Sequence, residues 1–270
     1  MTHAVFNALT IAGSDSGGGA GIQADLKAFS ACGVYGASVI TALTAQNTQQ
    51  VLNVHPVPVE FITAQLDAVF ADIKIHAVKT GMLGGVDTVI AVADALEKYG
   101  VSQLVVDPVM ISKSGNALLQ ADAVSTLKER LFPLATLITP NLPEAAVLLD
   151  SSEAKALEEM KDTAVSLHRL GAQNVLLKGG HLSGNISTDI LYDGKKFWEF
   201  PCRRVATKNT HGTGCTLASA ITAGLANGRN VTESVTQAKK YITSAIMSAD
   251  QLNVGSGHGP VHHFHALWRS

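Results

Sequence analysis

The sequence predicts one α/β domain over residues 1–270, with a central, mostly parallel sheet flanked by helices and a small β-hairpin. Short apolar runs of strand length alternate with longer segments of helical spacing, which is typical of parallel strands joined by helical crossovers. Hydrophobic residues make up 46% of the chain and aromatic residues only 5%, and this aliphatic composition suits strands that are buried on both faces. No Pro/Ser-rich linker, charge block or internal repeat divides the chain.

Six apolar runs are the predicted strands of the parallel sheet: residues 8–12, 38–43, 76–80, 103–107, 136–140 and 174–178. Residues 188–202 break the alternation. They predict a hairpin, because the pair Asp193-Gly194 between two apolar runs is a strong turn signal.

Two of the intervening segments carry a clear helical pattern. Apolar residues recur at helical spacing in residues 59–73 and again in residues 232–248. Thr232 and Glu233 are residue types suited to the start of the second helix.

Charge and cysteine content exclude several classes of protein. Charged residues make up 16% of the chain and the formal net charge is −2, so no basic surplus attracts nucleic acid or an anionic membrane surface. No apolar run approaches the roughly 18 residues of a membrane span, and the N-terminus lacks the basic region of a signal peptide. The three cysteines (Cys32, Cys202 and Cys215) are far apart, which favours reduced thiols and a cytoplasmic protein with small-molecule partners.

Five of the predicted strands end in polar or glycine-rich groups: GSDSGGGAG, KTGML, DPVM, TPN and KGGH. Ligands of open parallel sheets bind just beyond the carboxyl ends of the strands. We therefore expect these five groups to form one site.

Two glycine-rich loops lead into predicted helices. In residues 208–228, Gly212 and Gly214 allow the backbone to approach an anion, and the following helix N-terminus directs N–H groups at it. This arrangement suits a transferred phosphoryl group, although a simple helix-starting turn is the alternative. Cys215 lies in the first helical turn, where a thiol pKa is expected to be lowered. The loop of residues 13–25 is neither a Walker A nor a dinucleotide fingerprint, and alone it is a weak phosphate signal.

Asp107 and Glu144 follow predicted strand ends and are the candidate magnesium ligands, since nucleotide-bound Mg²⁺ needs only one or two carboxylates, often through water. The alternatives are a turn cap for Asp107 and a first-turn helix position for Glu144. Lys178 precedes two glycines and either faces phosphate or pairs with a surface acid. The histidines of the C-terminal segment (His262, His263 and His265) are more typical of an exposed tail than of a metal site.

Taken together, AGSDSGGGAGIQAD, TALTAQNT, KTGML, DPVM, TPNLPEA, KGGH and NTHGTGCT resemble the hydroxymethylpyrimidine/phosphomethylpyrimidine kinases of thiamine biosynthesis, within the ribokinase-like superfamily. The match keeps its order over essentially the whole chain, including the GPVHHFHALW tail. The resemblance implies a ribokinase-like fold, usually as a homodimer. It also implies two successive ATP-dependent phosphorylations at one site, of 4-amino-5-hydroxymethyl-2-methylpyrimidine and then of its monophosphate.

The resemblance assigns site residues in three groups. The substrate contacts are Gly13, Ala20, Asp25, Gln46, Met82 and Val109. The nucleotide and phosphate contacts are Asn141, Lys178, Thr210 and His211, with Glu144 beside them. The catalytic loop is Gly212, Thr213, Gly214 and Cys215.

Two of these assignments can be weighed chemically. The Gln46 amide offers a donor and an acceptor that complement a 4-aminopyrimidine edge. Cys215 stands where many sugar kinases of the superfamily have an aspartate base, so it is either a base or only part of the anion hole.

Two other functions remain open from the sequence. A pyridoxal kinase of the same fold phosphorylates a similar hydroxymethyl group, although AQNT, KGGH and the segment around Cys215 favour the pyrimidine enzyme. A non-catalytic pyrimidine-binding protein would need neither an anion loop nor magnesium acids.

Overall fold

One nine-stranded sheet organises the computed structural model, which describes residues 5–110 and 119–268. The strands are β1 (Asn7–Ser14), β2 (Tyr35–Gln46), β3 (Val51–Pro56), β4 (Ala77–Thr80), β5 (Leu104–Val106), β6 (Leu137–Ile138), β7 (Val175–Leu177), β8 (Ile186–Tyr192) and β9 (Phe197–Arg203). Their order across the sheet is β3-β2-β1-β4-β5-β6-β7-β8-β9. The pairs from β2 to β7 are parallel, whereas β3, β8 and β9 pair antiparallel. The predicted mostly parallel sheet and its hairpin are therefore confirmed.

Eight α-helices cover the sheet within the described residues. They are α1 (Gly21–Ala31), α2 (Val59–Asp72), α3 (Val86–Lys98), α4 (Ala123–Thr126), α5 (Leu142–Leu149), α6 (Leu157–His168), α7 (Thr213–Ala226) and α8 (Val231–Met247). A π-turn (Leu127–Leu131) and a 3₁₀ turn (Phe132–Leu134) follow α4, and another 3₁₀ turn (Ala249–Gln251) follows α8.

The sheet separates two hydrophobic cores because neighbouring residues of a strand point to opposite faces. In β1, Leu9 packs into the core formed with α2, α3, α5 and α6, whereas Ala8 packs into the core formed with α1, α7 and α8. In β4, Val78 and Ala77 divide in the same way. Burial of both faces explains the aliphatic composition. One sheet joins all nine strands, which supports the single domain that we propose for residues 1–270.

The helix α8 starts with the kind of polar capping residues that the sequence predicts, but at a different position. α8 begins after Asn230, whose side chain accepts a hydrogen bond from the backbone N–H of Glu233, while the Glu233 carboxylate accepts one from the backbone N–H of Asn230. This reciprocal capping box satisfies two N–H groups that a helix start otherwise leaves without a partner. The helix therefore begins at Val231, one residue before the expected Thr232. Strand β3 was not predicted at all.

Candidate active site

A cleft of about 1290 Å³ lies at the carboxyl ends of the parallel strands. It is lined by residues from all five polar strand ends: Gly13, Ser14, Asp15 and Ala20 at and after the end of β1, Lys79 and Met82 at β4, Asp107, Val109 and Met110 after β5, Asn141 after β6, and Lys178, Gly180 and His181 after β7. The segment from Thr210 to Cys215 lines the same cleft. The five groups therefore line one cleft, as expected.

The two glycine-rich loops pack directly against each other. Gly212 has a φ of 76°, and a β-carbon added there would lie 1.8 Å from the carbonyl oxygen of Gly19. A β-carbon on Gly19 would in turn lie 2.5 Å from Cδ2 of His211. Only glycine permits this approach, because both the left-handed backbone and the contact exclude a side chain. The contact places the N-terminus of α7, a favourable site for an anion, on the wall of the cleft.

Asp15 organises the first glycine loop, although the sequence analysis did not single it out. Its Oδ1 accepts a hydrogen bond from the backbone N–H of Gly17 at 2.8 Å. Its Oδ2 accepts from the N–H groups of Gly19 and Ala20 at 3.0 and 2.8 Å, and lies 2.8 Å from Nε2 of His211. Burial acts to raise the pKa of Asp15, but the bond to His211 and the N–H groups of Ala20 and Gly17 lower it below its ordinary value. An aspartate within a glycine-rich loop is the sequence signal for this role.

The ring of His211 contacts Asp15 and Gln46, and Gln46 is one of the residues assigned to the substrate. The assignment of His211 to the nucleotide stays a prediction. Nε2 of His211 lies 2.8 Å from Asp15 and 3.3 Å from Nε2 of Gln46. Gln46 also contacts Thr44, with 3.2 Å between Oε1 and Oγ1. The histidine therefore joins the glycine loop to the end of β2.

Five of the six residues assigned to the substrate line the cleft: Gly13, Ala20, Gln46, Met82 and Val109. A β-carbon added to Gly13 would lie 2.2 Å from Cε of Met82, so Gly13 leaves room for the methionine. The carbonyl oxygen of Met82 accepts a hydrogen bond from Thr41 Oγ1 at 2.6 Å, which fixes the segment after β4.

Asp25 is the exception, since its side chain is fully buried. Lys79 Nζ lies 3.1 Å from its Oδ1 and 2.9 Å from its Oδ2. Ser219 Oγ donates to Oδ1 and Thr10 Oγ1 donates to Oδ2, each at 2.6 Å. In the structure Asp25 therefore pairs with a buried lysine at the cleft, and its direct contact with substrate stays a prediction. Lys79 was not predicted as a site residue from the sequence. The feature that could have identified it is a charged residue inside an otherwise apolar strand.

Lys178 and two carboxylates form the other end of the cleft. Nζ of Lys178 lies 3.0 Å from Oδ1 of Asp107 and 3.9 Å from Oε2 of Glu144. Thr139 Oγ1 donates to the same Asp107 oxygen at 2.8 Å. A β-carbon added to Gly214 would lie 3.5 Å from Nζ of Lys178 and 3.8 Å from Oδ2 of Asp107. The anion loop, the lysine and both candidate magnesium acids therefore meet, as expected.

The two carboxylates differ in their affinity for a proton. Burial acts to raise the pKa of Asp107, but the Lys178 and Lys79 ammonium groups outweigh it and lower the pKa. Burial raises the pKa of Glu144 to about 7; Lys178 opposes this rise and Asp107 adds to it. Glu144 also closes a capping box with Asn141 at the start of α5, with both hydrogen bonds at 2.8 Å. It is therefore both a first-turn helix residue and a wall of the cleft.

The thiol of Cys215 does not have the lowered pKa expected from its helix position. Burial raises the pKa of Cys215 to about 11. The Lys79 ammonium opposes this rise, whereas the Asp25 and Asp107 carboxylates add to it. The loss of solvation for a thiolate at this position therefore outweighs the favourable charge of Lys79.

Further polar residues that were not predicted shape the loop after β7. The Arg204 guanidinium donates hydrogen bonds to the carbonyl oxygens of Gly180, Leu182 and Gly184. Asp189 accepts from the backbone N–H of Gly179 at 2.9 Å and from Lys239 Nζ at 2.7 Å. The partners are 10 to 50 positions apart along the chain, which is why spacing alone does not reveal them.

The C-terminal histidines belong to the packing of the tail. His263 Nε2 lies 3.0 Å from Oγ1 of Thr216, and the carbonyl oxygen of His263 accepts from the Tyr241 hydroxyl at 2.8 Å. The backbone N–H of His262 donates to the carbonyl oxygen of Ala245. Within the described part of the chain, no three His, Cys, Asp or Glu side chains come together as metal ligands. Among the same residues, no helix is both long and apolar enough to cross a bilayer.

The fold and the site define a small-molecule kinase of the ribokinase-like class, with an anion loop, a lysine and two carboxylates around one cleft. The family model of phosphomethylpyrimidine kinase matches residues 15–262, and the chain belongs to that family.

Two curated relatives are both described as hydroxymethylpyrimidine/phosphomethylpyrimidine kinase. The protein from Rhizobium meliloti is 55% identical over 262 residues, which is 97% of this chain and 98% of the relative. The protein from Escherichia coli is 52% identical over the same shares of both chains.

Solved structures include both phosphomethylpyrimidine and pyridoxal kinases. The phosphomethylpyrimidine kinase of Clostridium difficile has a TM-score of 0.80 at 47% identity, covering 89% of this chain and 99% of its own. The pyridoxal kinase of Bacillus subtilis, solved with ADP, has a TM-score of 0.90 at 40% identity, covering 97% of this chain and 99% of its own.

Proposed function

We propose that the protein transfers a phosphoryl group from ATP to 4-amino-5-hydroxymethyl-2-methylpyrimidine, and then to the resulting monophosphate, in thiamine biosynthesis. The observation that carries the proposal is the layout of the cleft. The Gln46 amide and the apolar side chains of Met82 and Val109 line it together with the loop of Gly212 to Cys215. The identity to relatives described as kinases of both pyrimidines supports the two-step assignment.

Recognition of the substrate rests on shape and one polar edge. The ring of an aminopyrimidine is flat and largely apolar, and it fits against Met82 and Val109. Its amino group donates and the neighbouring ring nitrogen accepts, and the Gln46 amide supplies the complementary acceptor and donor. The hydroxymethyl group is then directed toward the anion loop.

Phosphoryl transfer rests mainly on charge and position. A loose transition state spreads negative charge over the transferred group, and catalysis needs positioned positive charge and N–H donors more than an early base. Lys178, with its pKa raised by Asp107 and Glu144 against the effect of burial, stays charged beside Gly214. The N–H groups of the first turn of α7 complete the anion site. Either the small fraction of Cys215 that is ionised to the thiolate accepts the substrate proton late, or Cys215 stays a thiol and only lines the anion hole.

Mg²⁺ fits the donors present. Asp107 uses Oδ1 for Thr139 and Lys178, and Oδ2 lies toward Gly214. Glu144 uses Oε2 for the Asn141 backbone. We propose that the remaining carboxylate oxygens hold Mg²⁺, directly or through water, as nucleotide-bound magnesium requires. When bound, the ion would neutralise charge on the nucleotide phosphates.

A pyridoxal kinase activity is the second candidate. It is favoured by the TM-score of 0.90 to the pyridoxal kinase of Bacillus subtilis, which exceeds that of 0.80 to the phosphomethylpyrimidine kinase of Clostridium difficile. We propose the pyridoxal reaction as a side activity only, because the curated relatives at 52–55% identity carry the pyrimidine description.

The test is phosphate transfer to the aminopyrimidine, its monophosphate and pyridoxal, measured as ADP release and by mass spectrometry of the products. We expect turnover of both pyrimidines and a lower kcat/KM for pyridoxal. Faster turnover of pyridoxal would favour the second candidate. A shift in melting temperature with the pyrimidine, but no ADP release, would identify a non-catalytic binder.

A Gln46→Ala variant tests the substrate assignment within the same assay. The loss of the base-edge hydrogen bonds costs about 1–3 kcal/mol and should raise the pyrimidine KM roughly ten- to a hundred-fold, with the KM for ATP little changed. Gln251→Ala is the matched control because Gln251 is exposed in the turn after α8. Equal changes in both KM values would remove Gln46 from the substrate site.

We further propose a cytoplasmic homodimer. All three cysteines are free, which fits a reducing compartment. Leu43, Leu52 and Val54 of β2 and β3 are 46%, 65% and 40% exposed at the edge of the sheet, and such an apolar edge favours association with a second copy. Leu52→Glu should convert the dimer to a monomer in sedimentation velocity, whereas Ile186→Glu, at an exposed position of β8, should not.

A further inference from the structure

His211 joins three parts of the chain and is held in place by all of them. Its backbone N–H donates to the carbonyl oxygen of Gly259 at 3.0 Å, and its carbonyl oxygen accepts from the N–H of Val261. The ring contacts the position where any side chain on Gly19 would stand. The imidazole therefore has little freedom to turn away from Asp15 and Gln46.

The protonation of this imidazole follows from Asp15. The Asp15 carboxylate, which has three backbone N–H donors, can only accept a hydrogen bond from the histidine. Nε2 of His211, at 2.8 Å, must then carry the proton. A ring nitrogen that carries a proton cannot accept a hydrogen bond from an amide NH₂ group.

The orientation of the Gln46 amide follows in turn. The amide end next to Nε2 of His211, at 3.3 Å, must be the carbonyl oxygen for the contact to be favourable. The NH₂ group then faces Oγ1 of Thr44, at 3.2 Å. This hydroxyl is free to accept because its own proton is donated to the carbonyl oxygen of Ser14 at 2.8 Å. Turning the amide by half a rotation thus removes the contact between two donors at Nε2, whose single proton goes mainly to Asp15 and in smaller part to the Gln46 oxygen. It also gives the NH₂ group an acceptor in Thr44.

We propose that His211 is a specificity-determining residue that acts through Gln46: it fixes which end of the amide donates and which accepts. The inference rests on the proposed function, in which Gln46 binds the amino edge of the pyrimidine. With the amide inverted, the donor of the substrate would face a donor and its acceptor would face an acceptor. A substrate without the 4-amino group would lose much less from the inversion.

The experiment compares 4-amino-5-hydroxymethyl-2-methylpyrimidine with the analogue that lacks the 4-amino group. The measured quantity is the ratio of their kcat/KM values, in the wild type and in His211→Leu, which removes the donor to Asp15. We expect the ratio to fall by roughly tenfold or more, mainly through the KM of the aminopyrimidine. The KM for ATP should stay within about threefold. His211→Gln, which restores an N–H donor near the position of Nε2, should recover most of the ratio.

Two further variants keep the test decisive if His211→Leu folds poorly. Thr44→Val removes the partner at the other end of the amide at nearly constant volume, and it should also lower the ratio. His258→Leu is the matched control, because His258 lies in the same cleft but its ring bonds to the carbonyl oxygen of Lys208. It should leave the ratio unchanged.

The outcomes separate the inference from the proposed function. An active wild type in which His211→Leu and Thr44→Val lower both activities equally, with the ratio unchanged, would show that His211 only supports the loop and would overturn the inference. A wild type that phosphorylates neither pyrimidine would refute the proposed function itself, and the inference with it.

Discussion

Asp25→Asn distinguishes a substrate contact from a buried ion pair. The resemblance to the family assigns Asp25 to the substrate, whereas the structure pairs it with Lys79, with both side chains fully buried. Asparagine has nearly the same shape, so the substitution removes the charge and leaves the packing. It leaves the Lys79 ammonium buried without its counter-charge.

The expected cost follows from that burial. Removing one partner of a buried ion pair typically costs about 3–5 kcal/mol, because the remaining charge is neither solvated nor paired. The Thr10 and Ser219 hydroxyls, each at 2.6 Å from the carboxylate, also lose a charged acceptor. For a chain of this size, 1 kcal/mol corresponds to roughly 2–4 °C, so the melting temperature should fall by roughly 6–20 °C.

The assays are thermal denaturation and urea denaturation, both monitored by circular dichroism, with kinetics on the folded fraction. Asp94→Asn is the control: Asp94 pairs with Arg130 at 2.7 Å but is 61% exposed, and exposed pairs contribute little. The double variant Asp25→Asn/Lys79→Met should be more stable than either single variant, because a neutral pair replaces the unbalanced charge.

The direct-contact interpretation predicts the opposite pattern. In that pattern, Asp25→Asn raises the pyrimidine KM without changing stability, and the double variant is no more stable than the single ones. In that case the ion pair would contribute nothing to the free energy of unfolding. Asp25 would then be assigned to the substrate site.

Three further predictions address the other ionisable groups. Cys215→Ala should lower kcat by about 10²–10⁴, the range of an acid–base group. The wild-type kcat should keep rising as pH increases toward the thiol pKa of about 11. An alanine variant with near-wild-type kcat would show that Cys215 has only a structural role. Glu144→Gln should weaken activity in a way that added Mg²⁺ partly rescues, and an unaltered magnesium titration would remove Glu144 from the metal site. Burial lowers the pKa of His263 from 6.5 to about 3, and Lys27 and His262 add to this effect. The folded state therefore favours the neutral imidazole. This contribution to stability is complete above pH 6.5 and is lost as the pH falls from about 6.5 toward 3. Urea denaturation of His263→Gln should show a pH dependence flatter by up to about 1.4 kcal/mol per pH unit in that window, and an unchanged slope would contradict the assignment.

The sheet and the place of the site were predictable because they depend on local patterns. Each buried strand is an apolar run, and each ends in polar or glycine residues that mark the binding edge. Strand β3 escaped prediction because it lies at the edge with only Val51 buried. An edge strand that is exposed on both faces has no alternation to detect.

The long-range electrostatics of the site were not predictable from spacing. Asp25 and Lys79 are 54 positions apart, and nothing in either local motif reveals the partner. For Cys215, the sequence places the thiol at a helix N-terminus but gives no measure of its solvation. The competing effect of burial therefore became visible only when the neighbouring elements were in place.

The distribution of charge in the cleft supports the proposal that a nucleotide binds there with a divalent cation. Lys79 is matched by Asp25, so this pair adds little net charge. Lys178 instead forms ion pairs with both Asp107 and Glu144. When both carboxylates are ionised, this leaves one negative charge in excess. Burial raises the pKa of Glu144 to about 7; Lys178 opposes this rise and Asp107 adds to it. A cation beside these carboxylates would favour both in their ionised form, and Lys178 would then be freed to face the transferred phosphoryl group. The same end of the cleft that is electrostatically unbalanced in the protein alone is thus the end that a magnesium–nucleotide complex would balance.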